Sequence, residues 1–521
     1  QGDSWTIVTL RILTVVRREH MSFIDSIVAF FSPQAAYERE IYRQAYDSLR
    51  NYDAGSYDKS NQNWRVSNTS AELTDRYSRD NVRARARDLE RNSDIMNSVV
   101  GAYKRNVVGG GYHVQVRTDN PELNKQIEKA WNKWCKKQNC DVTGTQSLNQ
   151  IIRMAVERKK IDGGILFVKR YTKDGFVPFK LQMIEVDELD AGTVKPKHSG
   201  NKVVGGIEYN PFNKPVGYHI RQYDIDGYSQ REAVYVDAKD VIFYFTKKRP
   251  SQLREMSDMA PTIPRIRDVN EFMTAVSVKE RIEACLSVFI KKSLPTSGIG
   301  RNNSVATADR VSYEGKMLTP GMIKELNAGD EVQVVNPSGQ GADATSFTKL
   351  QQRLIGAGQG ISYESTSRDM SESTYSSARQ AWIEDDLTYN EDKELLIEIL
   401  DEIYETFIIS AVLCGAISIP KFWDMKDVYL AHEWVQEPKP WIDPYKESNA
   451  NMVALQTGQK TFKQIAAENG RDWHDQVDDM VEVLEYGKSK GIDLGGVLFG
   501  IKENKAPASD EGGDGKPGEK E

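Results

Sequence analysis

The stretch SFTKLQQRLIGAGQGISYESTSRDMSESTYSSARQ, from Ser346 to Gln380, changes character three times. Ser346 to Ile355 carries helix formers. Gly356, Gly358 and Gly360 then interrupt them, Ser362 to Ser377 is almost wholly polar, and from Ala378 an apolar stripe resumes and continues to Leu413. A phosphate-cradling reading of GAGQG fails, because a P-loop places Lys-Ser/Thr after its last glycine and Ile361-Ser362 stand there instead. The glycines therefore read as a hinge, and Ser362 to Ser377 as a mobile loop that cannot pack a core of its own. A helix, a hinge, a polar loop and a long helix follow in that order.

Upstream, Pro264 to Lys292 shows Ile266, Val269, Phe272, Met273, Val276, Ile282, Leu286 and Phe289 at three- and four-residue spacing, which predicts one amphipathic helix about 43 Å long. Between this helix and Ser346 lies a small α/β insertion. Pro320 to Leu326 allows one or two helical turns, and Glu331 to Val335 reads as a strand closed by Pro337-Ser338-Gly339. In the long helix Leu396, Ile399, Leu400, Ile403, Phe407 and Ile408 form the buried stripe, while ten acidic residues between Glu384 and Glu405 meet only Lys393. Those carboxylates allow three readings: solvated charge, metal ligands, or a negatively charged wall.

Before Pro264 the pattern is mixed α+β, with strands expected at Asn106 to Arg117, Leu166 to Val168, Phe179 to Ile184, Gly217 to Tyr223 and Val241 to Phe245. DIDG at Asp224 to Gly227 reads as a hairpin turn rather than a calcium loop, since Gln222 and Ala233 would stand at the first and last ligand positions. Arg83, Arg87 and Arg91 share a helix face, either as a phosphate or partner contact or as a solvated face paired with Asp88 and Glu90, the second being expected. After Trp434 to Pro444, TFKQ at Thr461 to Gln464 has capping-box spacing, Asp475 to Tyr486 makes a last helix, and the tail from Lys502 lacks apolar residues. Tyr37 to Leu49 reads as a helical arm. Met21 is expected to be the natural start, with residues 1–20 a non-native upstream extension.

Composition sets the outer limits. With 521 residues, 39% of them hydrophobic and 28% charged, the chain needs several structural units, each with a packed interior. A net charge of −7 excludes a conventional basic DNA binder, so any contact with phosphate must be local and weak. Cys135, Cys140, Cys285 and Cys414 are too few for a disulfide framework and point to a reducing compartment, with no metal site complete around the CKKQNC pair. No apolar run is long enough to cross a membrane.

Several blocks, in this order, resemble the portal proteins of tailed bacteriophages, specifically the lambda-type portal family. They are RARDLERN ending at Asn92, NVVGGG from Asn106, LQMIEVDEL from Leu181, GGIEYN from Gly205, and Arg249, Gln252 and Arg254 before Ala260-Pro261. ISYESTSRDMSESTYSSARQ from Ile361 is the most specific, followed by WIDPYKE from Trp441 and TFKQIAAENGRDW. Two departures stand out: Arg254-Glu255 where the family tends to Arg-Gly, and Asp162-Gly163-Gly164 in place of a Gly-Glu pair.

The resemblance implies an α+β portal fold, with no catalytic activity, no cofactor and no metal. Its parts would be an N-terminal arm (21–69), a mixed α/β wing (70–260), a two-helix stem (261–292 and 346–359) around a small α/β clip (293–345), a tunnel loop (360–377), a long channel helix with a return to the wing (378–440), a helical crown (441–500) and a disordered tail (501–521). It further implies a homo-oligomeric ring, usually of twelve copies, at one capsid vertex of the virion, assembled in the host cytoplasm. Terminase large subunit, major capsid protein, head-tail connector proteins and double-stranded DNA bound without sequence preference would be the partners, and no membrane. On this chain Ser362, Tyr363, Glu364, Arg368, Asp369, Ser371, Tyr375 and Arg379 would form the tunnel loop. Glu384, Asp385, Asp386, Glu391 and Asp392 would line the channel, where an acidic wall keeps DNA mobile. Lys316, Lys324, Glu331, Val332 and Val334 would serve clip and motor docking, and the edge of the Glu331 to Val335 strand would be open to a neighbour. A metal-dependent nuclease built on the acidic helix and a non-channel capsid adaptor are the rivals; neither explains two long helices bracketing a small α/β insertion.

Overall fold

The computed structural model describes residues 68–492, apart from 229–231, 285–287, 293–329, 335–340, 437–442 and 472, together with a few residues between 31 and 41. The chain divides into two units, Gln1–Thr69 and Ser70–Glu521. The expected N-terminal arm, upstream extension, disordered tail and most of the clip lie outside the described residues.

The second unit opens with helices α1 (Ala71–Asp75), α2 (Arg79–Asn92) and α3 (Asp94–Tyr103). Ser70 and Ser93 cap α1 and α3, their side chains accepting from the backbone N–H of Leu73 and Met96. A π-helical turn, Lys104–Val108, leads through the glycines into strand β1 (Tyr112–Val116). Helix α4 (Pro121–Trp134) starts on Asn120, which accepts from the N–H of Glu122 and Leu123, with Pro121 in the first turn where its missing N–H costs nothing. The short α5 (Lys137–Cys140) and α6 (Leu148–Asp162) follow, the latter opened by a Ser147/Gln150 capping box. Gly163 then turns at φ 91°, and a Cβ there would lie 2.4 Å from the Met256 carbonyl carbon, so this position requires glycine.

Strands β2 (Gly164–Tyr171), β3 (Phe179–Ile184), β4 (Lys202–Val204), β5 (Ile207–Tyr209), β6 (Pro215–Ile220), β7 (Val234–Asp237) and β8 (Val241–Phe245) make two antiparallel sheets, in the orders β3-β2-β8 and β4-β5-β6-β7. β2 is central and buried on both faces from Gly164 to Lys169, which is why its apolar run shows no alternation. Asp224 to Gly227 forms a turn between β6 and β7, closed by the Gly227 N–H on the Asp224 carbonyl at 2.8 Å.

Helix α7 (Ile263–Ala284) is followed by strands β9 (Val288–Lys292) and β10 (Asp330–Val334), then by α8 (Gly341–Gln359), α9 (Tyr363–Ser367) and α10 (Tyr375–Leu413). The single helix expected over Pro264 to Lys292 is corrected: it ends at Ala284 and the chain continues as a strand. The apolar run near Phe289 fits either period over so few residues, and antiparallel pairing with β10, Val332 opposite Ile290, decides for the strand. The second helix begins five residues earlier than Ser346, at Gly341. The long helix begins at Tyr375 because Thr374 and Ser377 cap it reciprocally.

The chain closes with α11 (Lys426–Tyr429), β11 (His432–Gln436) paired to β1, α12 (Pro444–Gln456), α13 (Phe462–Glu468), whose Thr461/Gln464 capping box is present, and α14 (Trp473–Ser489). The main core sits where α4 crosses α10. Trp131 packs edge-on to Tyr404 and Phe407, and Trp134 stacks on Phe179 with centroids 5.2 Å apart while its indole N–H donates to the Phe179 carbonyl. A smaller core of Leu166, Val168, Ile184, Ile207, Tyr218, Ile220 and Val241 joins the two sheets. Among the described residues no helix is long and apolar enough to cross a membrane.

Candidate functional site

Glycine spacing sets up the turn after α8, by close packing rather than by freedom of motion. Gly360 turns at φ 71° and the Ile361 N–H returns to the Gly356 carbonyl at 2.9 Å, so the helix ends in a closed αL cap. A Cβ on Gly356 would meet the Ile361 carbonyl oxygen and Thr366 Oγ1 at 2.7 Å, and one on Gly358 would meet Thr262 Cγ2 at 2.9 Å. The expected hinge is therefore corrected: two of its three glycines let neighbouring chain approach.

The expected mobile loop is corrected with it. Asp385, on α10 and only 3% exposed, accepts from the Ser362 N–H at 2.6 Å, from Ser362 Oγ at 2.8 Å and from Ser365 Oγ. Ser362 Oγ in turn caps α9 at the Ser365 N–H, and Thr388 Oγ1 donates to the Gly360 carbonyl at 2.6 Å. Composition hid this order because hydroxyls that look solvent-seeking one by one become satisfied caps and ligands once a buried carboxylate faces them.

Beyond α9 the segment is more open. Arg368 takes the αL conformation at φ 59° and is exposed, as are Met370, Ser371 and Tyr375. Even here the polar groups are engaged: Tyr363 Oη donates to Asp369, Asp369 accepts from the Ser371 N–H and Oγ, Ser373 Oγ donates to Glu364, and Glu372 pairs with Lys349 at 2.6 Å. Arg379, exposed, reaches Tyr375 Oη at 3.4 Å.

The acidic helix separates into two sets. Asp392 lies 2.6 Å from Lys159 and 2.9 Å from Lys160, both buried; Asp258 shares the same lysines and adds Lys248 at 3.1 Å. Burial alone would raise the Asp258 carboxyl, but Lys159, Lys160 and Lys248 bring it down to about 2. Lys160 also sits 3.6 Å over the Tyr103 ring, Tyr103 Oη donates to the Gln359 carbonyl, and the Gln359 side-chain amide reaches the Asp258 carbonyl and Thr262 Oγ1. One polar cluster thus ties α3, α6 and α10 to the end of α8 and the start of α7.

Further along α10, Asp401 receives Trp434 Nε1 and faces His432, Glu402 pairs with Lys169 at 2.7 Å, and Glu405 pairs with Lys426. Glu384, Glu391, Glu394 and Glu398 remain exposed and Asp386 half-buried. Placing Asp385 and Asp392 on a channel wall is thereby corrected: each is buried against a partner far away in sequence. Asp385 and Asp392 are engaged by separate partners, and among the described residues no group of three or more His, Cys, Asp or Glu is placed to hold a metal ion, whereas two-metal cleavage needs clustered carboxylates.

The arginine row is also corrected. Arg83 is buried among Asp80, Asp187 and Glu255, and Arg87 joins Asp162, Glu185 and Asp187, while Arg91 stays exposed. Glu255, fully buried, accepts from Arg254 Nε at 2.6 Å, Arg254 Nη2 at 2.8 Å and Arg83 Nη1 at 3.2 Å. The Arg254-Glu255 departure therefore supplies an internal counter-charge. Sequence reading missed the burial of Glu255, because in the polar run KKRPSQLREMSD a carboxylate beside an arginine looks like any solvated pair.

Of the clip residues, Lys316 and Lys324 lie outside the described residues. Glu331, Val332 and Val334 fall on β10, one edge of which is taken by β9. Helices α7 and α8 pack antiparallel, with Arg265 on Gln351 at 2.8 Å and Phe272 against Phe347 at 4.6 Å, yet Met273, Val278, Leu350 and Leu354 stay exposed.

Comparison with known proteins adds three findings. A family model described as "Phage portal protein, lambda family" matches residues 57–392. The chain is 24% identical over 426 residues to a probable portal protein of Halomonas phage phiHAP-1, covering 79% of this chain and 81% of that one, and 19% identical over 475 residues to the portal protein of Escherichia phage N15, covering 82% and 89%. A chain from the neck of an empty gene transfer agent particle aligns over 74% of this chain and 93% of its own, at 13% identity and a TM-score of 0.42, too low to carry an argument about assembly.

Proposed function

The chain belongs to the lambda family of phage portal proteins, and from that premise we propose that it is a non-enzymatic virion component that forms a ring at one capsid vertex. Double-stranded DNA enters the head and leaves it through this ring, with terminase docking during packaging and head-tail connector proteins afterwards. The observation that carries the ring is the α7–α8 pair: two packed helices that leave Met273, Val278, Leu350 and Leu354 exposed need another copy to cover them.

In this reading α7 and α8 are the stem, the residues between them the clip, the segment from Gly360 to Ser377 the tunnel loop, and α12 to α14 the crown. The loop meets DNA through Arg368, Ser371 and Tyr375, with Arg379 of α10 next to Tyr375, all of them exposed, while Ser362, Glu364 and Asp369 hold its shape. A framed loop of this kind offers weak contacts to any sequence, which suits a moving duplex. From the acidic helix Glu384, exposed one turn beyond Gln380, contributes to the wall. Negative-stain images of the purified protein test the function: rings with a central opening are expected, and a stable single chain at micromolar concentration overturns the reading.

A further inference from the structure

Helix α4 turns Leu123, Ile127, Ala130, Trp131 and Trp134 into the core and holds Lys125, Lys129 and Lys133 on the opposite face, all exposed. Lys133 lies 3.9 Å over the Phe176 ring, and Glu128, the acid among them, accepts from the Val116 N–H at 2.9 Å. Helix α10 is built the same way with the opposite sign. Leu396, Ile399, Leu400, Ile403 and Phe407 face inward, and Glu391, Glu394 and Glu398 face outward without an ion pair to any described residue.

Like charges three or four residues apart on one helix repel each other by a few tenths of a kcal/mol, so each row is a small cost that a complementary row would relieve. The inner faces of α4 and α10 meet through Trp131, Trp134, Tyr404 and Phe407, so the two charged rows point away from each other, out of opposite sides of the same layer. Lys125 to Lys133 spans about 12 Å along its helix and Glu391 to Glu398 about 10 Å, which brings the rows into register when laid side by side.

We infer that the lysine row of one copy docks on the glutamate row of the next, forming a head-to-tail contact between copies of this chain. Complementary rows on opposite sides of a subunit make a heterologous contact that repeats in one direction, which is what closure into a ring requires. The inference rests on the ring reading above and adds the surfaces that meet.

The test uses two full-length variants. One carries Lys125→Glu, Lys129→Glu and Lys133→Glu; the other carries Glu391→Lys, Glu394→Lys and Glu398→Lys. Each alone should associate about tenfold more weakly than the unaltered chain or worse, since repulsion replaces attraction, while its far-ultraviolet circular dichroism spectrum stays that of a folded chain. An equimolar mixture should associate again, because every reversed row then meets its complement. Normal rings from either variant alone, or a mixture of folded variants that stays unassembled, overturns this contact only. Absence of rings from the unaltered chain overturns the ring reading and the contact with it.

Discussion

The body around α4, α10 and the β3-β2-β8 sheet and the helices α7, α8 and α12 to α14 all carry apolar residues but use them differently. In the body Trp131, Trp134, Phe179, Tyr404 and Phe407 are buried almost completely. In α12 no residue is buried, in α13 only Ala466 and in α14 only Gly487, while Tyr445, Val453, Val481 and Tyr486 lie open. The α7–α8 pair resembles these C-terminal helices more than the body. A region that buries its own apolar face is stable by itself; one that does not gains its stability from whatever covers it.

The largest effect should follow from breaking the body. Trp131→Ala removes the side chain shared by Trp134, Tyr404, Phe407 and Trp434, and a loss of about 3–5 kcal/mol is expected in denaturant unfolding. A loss under about 1 kcal/mol would mean that the aromatic cluster is not the core that distinguishes the body.

Next in size is Glu255→Gln, which leaves Arg254 and Arg83 buried with less counter-charge. About 2–4 kcal/mol should be lost, with the damage read as faster hydrogen exchange at α2 and around 254–262, before α7. Unchanged exchange there would show that the ionic cluster does not hold the entry to the paired helices.

Asp385→Ala should cost about 1–3 kcal/mol, because Ser362 and Ser365 lose their shared acceptor. Its signature is local: protease cleavage should appear between Ile361 and Ser373, with the remainder of the body still protected. Acid should act in a related way through Asp258. A carboxyl held near 2 when folded and at 3.8 when free contributes stability that is complete above about pH 5 and is lost as the pH falls toward 2. Loosening of α6 from α10 in that window, measured by exchange at Lys159 and Lys160, is the expected outcome.

The smallest effect on the single chain belongs to the open surface. Leu350→Ser with Leu354→Ser should change folding stability by no more than about 0.5 kcal/mol, yet weaken association measured by light scattering. Equal loss of folding and association would erase the contrast between the two kinds of region.

Much of this molecule was open to reading along the chain. The helix, insertion, helix, long-helix order, the strands at Phe179–Ile184 and Val241–Phe245, and the Thr461 capping box all rest on local spacing, and periodicity or a cap is a property of neighbours in sequence. The segment from Ile361 to Ser377 was legible as polar, but its packing, with Ile361 in the core and Ser362 and Ser365 on Asp385, was not.

What failed depended on partners distant in sequence. Whether 288–292 is helix or strand was decided by β10, roughly forty residues on. Whether Asp385 and Asp392 meet solvent or the interior was decided by Ser362 and by Lys159 and Lys160, and whether the arginine row is free was decided by Asp162, Asp187 and Glu255. Composition by itself determined that the chain has a globular content and a net negative charge, and local pattern determined most of the elements it would make. Only the tertiary structure decided which charges are spent inside and which are left outside, because the electrostatic fate of a side chain depends on what desolvates it and what stands within a few ångströms, and neither is a local quantity.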